Sequence, residues 1–335
     1  TEKLDRADAN AAPLAAVYAG VRAATEALIA PLTAEAIRYS LLGEGKRLRA
    51  ILLMESYRAC GGTGDARDLA AAVEVVHAYS LVHDDLPCMD DDDVRRGRPT
   101  VHRVYGVPVA TAAGLAMVPM AARSAWHASK AMGLTDAVAG DIVRDLMDAS
   151  GAGGMIGGQL LDLEAEGVPL TLEALERVHR LKTGALIMAS VTLGARAALA
   201  SASRRRALAQ YGAAIGLAFQ IADDVLDITA TTDQLGKTAG RDIALHKSTY
   251  PALLGVDGAI ERAVALVEEG CRGHRSTARR KSRLRHRTAG SLRLRPFGPI
   301  RRPGPRVRPT RRAGPEPDGR VPFRAGIPAS VSVHR

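Results

Sequence analysis

Apolar residues recur every three or four positions along most of the first 270 residues, which is the period of helices that bury one face. Turns rich in glycine and proline separate these segments, and no repeat of 20–50 residues is present. The pattern predicts one large all-α bundle. The predicted helices cover residues 13–40, a segment through 51–54 that ends at Gly61, and residues 66–85, 108–130, 135–166, 171–200, 203–229 and 250–269.

The composition also favours helices. The chain is 47% hydrophobic but only 3% aromatic, whereas a β-sandwich would need more β-branched and aromatic residues. Cys60, Cys88 and Cys271 are too scattered for a disulfide framework, so we expect a reducing cytoplasm. No uncharged apolar run reaches the roughly 18 residues of a membrane span, and the N-terminal segment lacks the layout of a secretory signal.

The net charge of +10 is unevenly distributed. Residues 271–335 hold 18 Arg and one Lys against Glu316 and Asp318, a net +17, which leaves a net −7 on residues 1–270. We therefore expect residues 1–270 to form one domain without a nucleic-acid partner. The Arg- and Pro-rich residues 271–335 cannot bury a core, which predicts a disordered tail. The tail is either a basic arm for nucleic acid or acidic lipid, or the product of a shifted reading frame in GC-rich coding DNA.

A dense acidic cluster follows the predicted helix 66–85. Asp84, Asp85 and Asp90 have the spacing DDxxxxD. An acidic run is often a solvated loop, but unpaired charge beside a buried helix is costly. Hard cations such as Mg²⁺ take oxygen ligands and bridge carboxylates to phosphates. The cluster therefore indicates a site for divalent cations and a polyanionic ligand.

A second acidic cluster ends the predicted helix 203–229. Asp223, Asp224 and Asp227 have the spacing DDxxD, which places them on one helical face together with Gln220. Like charges on one face repel, and a purely structural role would leave that repulsion uncompensated. Two such clusters on separate helices can hold several metal ions between them.

The pair DDxxxxD and DDxxD, each after an apolar helix, resembles the trans-isoprenyl diphosphate synthases, or polyprenyl synthetases. The string 76–87, VHAYSLVHDDLP, looks like bacterial farnesyl and geranylgeranyl diphosphate synthases, and the resemblance covers about residues 35–256. It implies an all-α isoprenoid synthase fold with a central active-site cavity and a homodimer, whose interface the helix 108–130 would supply. One departure is residues 114–117, GLAM, where the family usually carries an acid.

The resemblance implies a Mg²⁺-dependent condensation of isopentenyl diphosphate with an allylic diphosphate, with three ions bound and Mn²⁺ as an alternative. It assigns the metal ions to Asp84, Asp85, Asp90, Asp223, Asp224 and Asp227. It assigns the allylic diphosphate to Arg95, Lys182, Thr183, Gln220, Lys237 and Lys247. It assigns the isopentenyl diphosphate to a metal-free pocket of Gly45, Lys46, Arg49, His77 and Arg96. Gln159 and Asp162, which resemble the family's GQxxD motif, would line the cavity.

Spacing adds three expectations about these residues. Lys46 and Arg49 are three residues apart and are expected on one helical face, and His77 lies two turns before Asp84 on the same face. Tyr79 lies five residues before Asp84, about 7.5 Å along a helix. An aromatic side chain at that depth should block growth at a short product, and this pattern, with the small Ser80 beside it, resembles the bacterial farnesyl-type enzymes. The resemblance therefore implies that Tyr79 and Ser80 determine chain length, with farnesyl diphosphate as the product and geranylgeranyl diphosphate as the alternative.

Three other functions compete with this interpretation. A terpene cyclase would use the same ionisation but would lack an isopentenyl diphosphate site. A non-catalytic subunit or basic-tailed binding protein should have lost acids from the two clusters, and both clusters are intact. A frame error in the tail would leave an inactive homologue.

Overall fold

The computed structural model describes Gly20, residues 35–229 and residues 247–277 of the 335-residue chain. Its helices are α1 (Glu35–Leu41), α2 (Leu48–Ala59), α3 (Arg67–Asp84), α4 (Val101–Tyr105), α5 (Val107–Ala131), α6 (Asp136–Ser150), α7 (Met155–Glu164), α8 (Leu172–His179), α9 (Ala185–Ala197), α10 (Ala202–Thr229) and α11 (Tyr250–Thr277). A π-helical turn (Arg180–Gly184) joins α8 to α9, and an antiparallel hairpin of β1 (Val94–Arg95) and β2 (Arg98–Pro99) follows α3. Most of the predicted helix 13–40, the loop 230–246 and the tail beyond 277 lie outside the described residues.

The all-α prediction is confirmed, and α3 lies at the centre of the bundle. Eleven of its 18 residues are buried, as expected of a helix enclosed on all sides. Small and aliphatic side chains along residues 69–76 allow α2 and α5 to pack against it. Helix α9 packs against α2 and α10, and α10 packs against α11. The carboxyl end of the central helix therefore carries the first acidic cluster.

The predicted single helix 135–166 is wrong, because the segment forms α6 and α7 with a sharp turn between them. Three of the four residues 151–154 are glycine. A Cβ at Gly154 would lie 2.2 Å from the carbonyl oxygen of Ala149, so only glycine fits there. This turn redirects α7 towards the π-helical turn, against which it packs.

Helix α11 contains a kink at Gly255, whose φ is +71°. It continues to Thr277 and thus crosses the predicted domain boundary at residue 270. Within the described segments, no helix combines the length and the apolar character that a bilayer span requires.

Candidate active site

A cavity of about 360 Å³ lies among α3, α7, α10, the hairpin and the segment before α11. Four described residues with predicted roles do not line it: Gly45, Lys46, Tyr79 and Asp85. Lys237 lies outside the described residues. The structure brings the others together around this one cavity. They are Arg49, His77, Ser80, Asp84, Asp90, Arg95, Arg96, Gln159, Asp162, Lys182, Thr183, Gln220, Asp223, Asp224, Asp227 and Lys247.

The first acidic cluster is divided between two tasks. Asp84 is the last residue of α3, and the N–H of Asp90 donates to the Asp84 carbonyl oxygen at 2.8 Å, which returns the loop to the helix end. Both residues line the cavity. The Asp85 carboxylate instead accepts from Arg95 Nε at 2.6 Å and lines a smaller neighbouring pocket. Asp85 is thus placed to orient Arg95.

Burial perturbs the acids at this helix end. It raises the pKa of Asp84 to about 6, although the nearby Lys182 ammonium opposes the shift. It also raises the pKa of Asp85 to about 6, against the effect of Arg95. Desolvated carboxylates are stabilised in their ionised form by a nearby cation.

The donor chemistry of the site fits Mg²⁺, because carboxylate oxygens from two helices face the same cavity. Within the described segments, no three acidic, histidine or cysteine side chains come close enough to hold an ion on their own. An ion bound here would therefore complete its ligands with water or phosphate oxygens, as Mg²⁺ commonly does.

The second acidic cluster lies on the last two turns of α10, where Asp223, Asp224 and Asp227 all line the cavity. Asp224 is buried and is held from three directions. Gln220 Nε2 donates to it at 3.2 Å, the N–H of Tyr250 donates at 3.0 Å, and His179 Nε2 lies 3.2 Å away. These contacts fix the orientation of the helix end relative to α8 and α11.

Two lysines on the cavity lining share one acid, Asp162. Asp162 Oδ2 accepts from Lys182 Nζ at 2.7 Å and from Lys247 Nζ at 2.9 Å, and Lys247 Nζ also lies 3.5 Å from Asp90. Burial raises the pKa of Asp162, but the two ammonium groups outweigh it and lower the pKa to about 2. Burial lowers the pKa of Lys182, but Asp162 and Asp84 together raise it above its usual value. Both lysines are therefore charged beside the acids.

The π-helical turn presents Lys182 and Thr183 to the cavity. Its backbone lies unusually close to α7, because a Cβ at Gly158 would be 2.0 Å from the Lys182 nitrogen. Thr183 Oγ1 donates to Gln220 Oε1 at 2.8 Å, which connects the turn to α10. The neighbouring Gln159 is 9% exposed, and neither of its amide atoms has a hydrogen-bond partner among the described residues. A buried amide of this kind needs a polar partner.

The hairpin places two adjacent arginines on the lining. Arg96 and Gly97 have φ of +54° and +71°, as in the type I′ turns that favour glycine at the second position. Arg95 is held by Asp85 and by Asp92, whose Oδ2 lies 3.1 Å from Arg95 Nη2. Arg96 Nη1 donates to the Glu44 carbonyl oxygen at 2.6 Å. The hairpin was not predicted from the sequence, although the Arg-Gly pair at its turn is a signal for it.

The predicted isopentenyl diphosphate residues are only partly assembled as expected. Arg49, His77 and Arg96 line the cavity, and Gly45 lies against the Arg96 guanidinium, where a Cβ would be 2.5 Å from Nη1. The expectation that Lys46 and Arg49 share a helical face is wrong. Helix α2 begins at Leu48, after a left-handed residue, so Lys46 belongs to the preceding turn and is exposed.

Burial, together with the positive charges of Arg49 and Arg96, lowers the pKa of His77 well below its usual value. The Nδ1 atom of His77 and the Nε atom of Arg49 are buried without hydrogen-bond partners among the described residues. A neutral histidine beside two arginines leaves this side of the cavity positive, in contrast to the acidic side.

Of the two predicted chain-length residues, Ser80 lines the cavity. Tyr79 is 3% exposed, donates from its hydroxyl to the Ser150 carbonyl oxygen at 3.3 Å, and packs edge-on against His83. Tyr79 thus lies in the core beside Ser80, where it contacts the start of the turn between α6 and α7.

Sequence reasoning missed two residues of the site. His179 lines the cavity and stacks on Tyr250, with ring centroids 5.7 Å apart. It lies one helical turn before Lys182, and that spacing was the available signal. Asp92 is the second such residue: it is buried, lines the cavity and pairs with Arg95. No sequence signal separated it from its acidic neighbours.

The chain is similar to known proteins over most of its length. The polyprenyl synthetase family profile matches residues 30–283. The chain is 46% identical over 262 residues to farnesyl diphosphate synthase of Escherichia coli (strain K12), which covers 74% of the chain and 87% of that protein. It is 44% identical over 237 residues to a chloroplastic geranylgeranyl pyrophosphate synthase of Catharanthus roseus, over 70% of the chain and 66% of that protein.

A solved structure gives the same result for the fold. Geranyltransferase from Helicobacter pylori, complexed with magnesium and isoprenyl diphosphate, superposes with a TM-score of 0.69 at 31% identity, over 78% of this chain and 89% of that one. With a family profile that spans most of the chain and relatives of this identity, the chain belongs to the polyprenyl synthetase family.

Proposed function

We propose that this chain is a prenyltransferase that condenses isopentenyl diphosphate with an allylic diphosphate in a 1′–4 head-to-tail reaction. The observation that carries the proposal is one cavity in which two acidic clusters on separate helices face a set of lysines and arginines. Farnesyl and geranylgeranyl diphosphate synthases among the relatives support the same reaction. In this reaction the allylic C–O bond breaks, its electrons leave with pyrophosphate, and the isopentenyl double bond attacks the allylic carbon. A proton is then lost to the departing pyrophosphate.

The acidic side of the cavity would bind the allylic diphosphate. Asp84, Asp90 and the acids of α10 would hold Mg²⁺, which we propose as three ions, with Mn²⁺ as a substitute. Bound Mg²⁺ supplies Lewis acidity to the leaving group. Lys182 and Lys247 lie beside these acids and would stabilise the negative charge that develops on the pyrophosphate. Lys237 remains a predicted contact outside the described residues.

The positive side of the cavity would bind isopentenyl diphosphate. This substrate keeps its diphosphate during the step, so its site needs positive charge rather than metal. Arg49, His77 and Arg96 supply that environment, and the exposed Lys46 and the backbone at Gly45 would add phosphate contacts from the turn before α2. Such a second site would distinguish the chain from a terpene cyclase.

We propose farnesyl diphosphate as the product, limited by the Tyr79–Ser80 pair. Ser80 lines the cavity and the bulk of Tyr79 lies in the core beside it, so growth of the prenyl chain should stop at Ser80, where Tyr79 would fill the space behind the lining. Geranylgeranyl diphosphate is the second candidate, favoured by the identity to the Catharanthus roseus enzyme.

We propose a homodimer that associates through α5, and a cytoplasmic location. Helix α5 exposes large apolar side chains, including Val109 and Leu115, and Leu115 is 61% exposed at the position where the family usually carries an acid. All three cysteines are free, as expected in a reducing compartment. For residues 271–335 we retain both interpretations, and resequencing the coding DNA decides between a native basic tail and a shifted frame.

The test is incubation of the purified chain with Mg²⁺, isopentenyl diphosphate and either dimethylallyl or geranyl diphosphate, followed by identification of the products. We expect farnesyl diphosphate from both primers. Asp84→Asn should abolish product formation, whereas Asp93→Asn, which changes an exposed acid of the same loop, should not. Failure to release pyrophosphate with any allylic primer would contradict the proposed function.

A further inference from the structure

A buried ion pair lies behind the positive side of the cavity without lining it. Glu74 is 2% exposed and Arg47 is 5% exposed, and Arg47 Nη1 lies 3.5 Å from Glu74 Oε2. Replacing a buried ion pair by apolar residues is often neutral or stabilising, so stability alone is weak grounds for such a pair. Its contacts point instead to the turn between α1 and α2.

Arg47 is the last residue of this turn, and its side chain reaches back to the beginning of the turn. Its φ of +46° is uncommon for a non-glycine residue. From that conformation Arg47 Nη2 donates to the carbonyl oxygens of Leu41 at 2.9 Å and of Gly43 at 2.7 Å. The guanidinium thus binds the start of the turn while its own backbone forms the end.

Glu74 fixes the other side of the same turn. Its Oε1 accepts the N–H of Ala50 at 3.0 Å, in the first turn of α2, where no intrahelical carbonyl is available. Arg47, at the N-cap position of α2, makes no capping hydrogen bond with its own side chain. The helix dipole also favours a carboxylate at a helix N-terminus. One carboxylate therefore holds both Arg47 and the beginning of α2.

The residues held between these contacts include Lys46 and Arg49. Burial lowers the pKa of Arg49 to about 10, the negative charge of Glu74 opposes this shift, and Arg96 adds to it. Glu74 also lies one helical turn before His77 on α3. Every proposed isopentenyl diphosphate contact on the turn and on α2 therefore lies in the segment that the contacts of Arg47 and Glu74 enclose.

We propose that Glu74 is a positioning residue for the isopentenyl diphosphate site: through Arg47 and the Ala50 N–H, it fixes the turn that carries Lys46 and Arg49. This inference rests on the proposed function, because it concerns one of that function's two substrate sites. It requires that loss of Glu74 affect one substrate and not the other, since the contacts of Asp84, Lys182 and Asp224 do not involve Glu74 or Arg47.

The test compares Michaelis constants for the two substrates in Glu74→Gln, which keeps the shape and an acceptor for Ala50 but removes the charge. We expect the KM for isopentenyl diphosphate to rise at least tenfold, with the KM for geranyl diphosphate within twofold of wild type. Glu74→Asp keeps the charge but shortens the side chain, and should show the same split to a smaller extent. Glu55→Gln, on the same helix as Arg49 but paired with the exposed Arg58, is the control and should change neither constant.

Equal increases in both constants, or no change in either, in a folded Glu74→Gln would overturn the proposal. If Glu74→Gln does not fold by circular dichroism, Glu74→Asp decides by the same criterion, and loss of folding in both variants also overturns it. The binding of isopentenyl diphosphate, measured by calorimetry, needs no turnover and therefore tests the positioning role of Glu74 separately from the proposed function. A wild type that binds this ligand and makes no product refutes the proposed function only. A Glu74→Gln that binds it like wild type refutes the positioning role only.

Discussion

The close approach of α7 to the π-helical turn predicts a large effect from one methyl group. In Gly158→Ala the new Cβ would lie 2.0 Å from the backbone nitrogen of Lys182, whereas ordinary contact begins at 3.4 Å. The two segments must therefore separate by about 1.4 Å, which pulls Asp162, one turn further along α7, away from the Lys182 ammonium. A displacement of about 1 Å in an active site costs on the order of 10²-fold in rate. Overpacking costs about 1–3 kcal/mol, of which the better helix propensity of alanine recovers about 1 kcal/mol.

Steady-state condensation kinetics and thermal melting measure the two effects separately. For Gly158→Ala we expect kcat to fall about 100-fold and the melting temperature to fall by a few degrees. Gly140→Ala is the matched control, because it makes the same substitution within α6, where a Cβ meets no atom within 4 Å. It should leave kcat unchanged and the melting temperature equal or slightly higher. A Gly158→Ala variant with wild-type kcat would refute the idea that this packing positions Lys182.

Three further predictions concern the lining and its floor. Asp84→Asn should abolish activity yet raise the melting temperature in EDTA at pH 7.5, because the raised pKa of Asp84 means that its ionised form destabilises the fold above pH 6. The gain in melting temperature should disappear below about pH 4. An equal gain at all pH values would contradict the burial argument. Asp162→Asn should lower the free energy of unfolding by about 3 kcal/mol, because it leaves two lysines without their shared acid. In a thermal-shift assay, added pyrophosphate should restore more stability to this variant than to wild type. Equal restoration in both proteins would argue against an anion site at the lysines. Tyr79→Ala should lengthen the prenyl product while Tyr79→Phe should not, as measured by chromatography of the dephosphorylated alcohols, and an unchanged product distribution in Tyr79→Ala would show that this residue does not limit chain growth.

Local patterns in the sequence were sufficient to predict most helices and both acidic clusters. The apolar period identifies α3 and α10, and the two acidic clusters lie at the carboxyl ends of these helices. A shared site between the two helix ends could therefore be predicted. The break between α6 and α7 follows from the glycine run 151–154, which was available in the sequence but was outweighed by the apolar period on either side of it. The length of the predicted helix should have been the warning, since 32 residues is long for a globular protein.

Features that depend on tertiary contacts could not be predicted in this way. The π-helical turn at Arg180–Gly184 follows an ordinary helical sequence, and its irregular backbone is accompanied by close packing against α7 and α10. Helical spacing suggested that Lys46 and Arg49 are neighbours, but Arg47 adopts a left-handed conformation that a guanidinium, two carbonyl oxygens and the distant Glu74 together stabilise. Sequence spacing has no information about a partner 27 residues away.

The acids at the end of α3 connect the stability of the fold with the proposed chemistry. Asp84 and Asp85 are kept in an environment that raises the pKa of both carboxyl groups to about 6, which is unfavourable for the folded protein at neutral pH without a cation. Raised pKa values of this kind are common at functional sites. Mg²⁺ together with a diphosphate would remove this penalty at Asp84, which lines the cavity, so binding and stability should be coupled through that carboxylate. The stability of the chain should therefore rise more with both ligands together than with either alone.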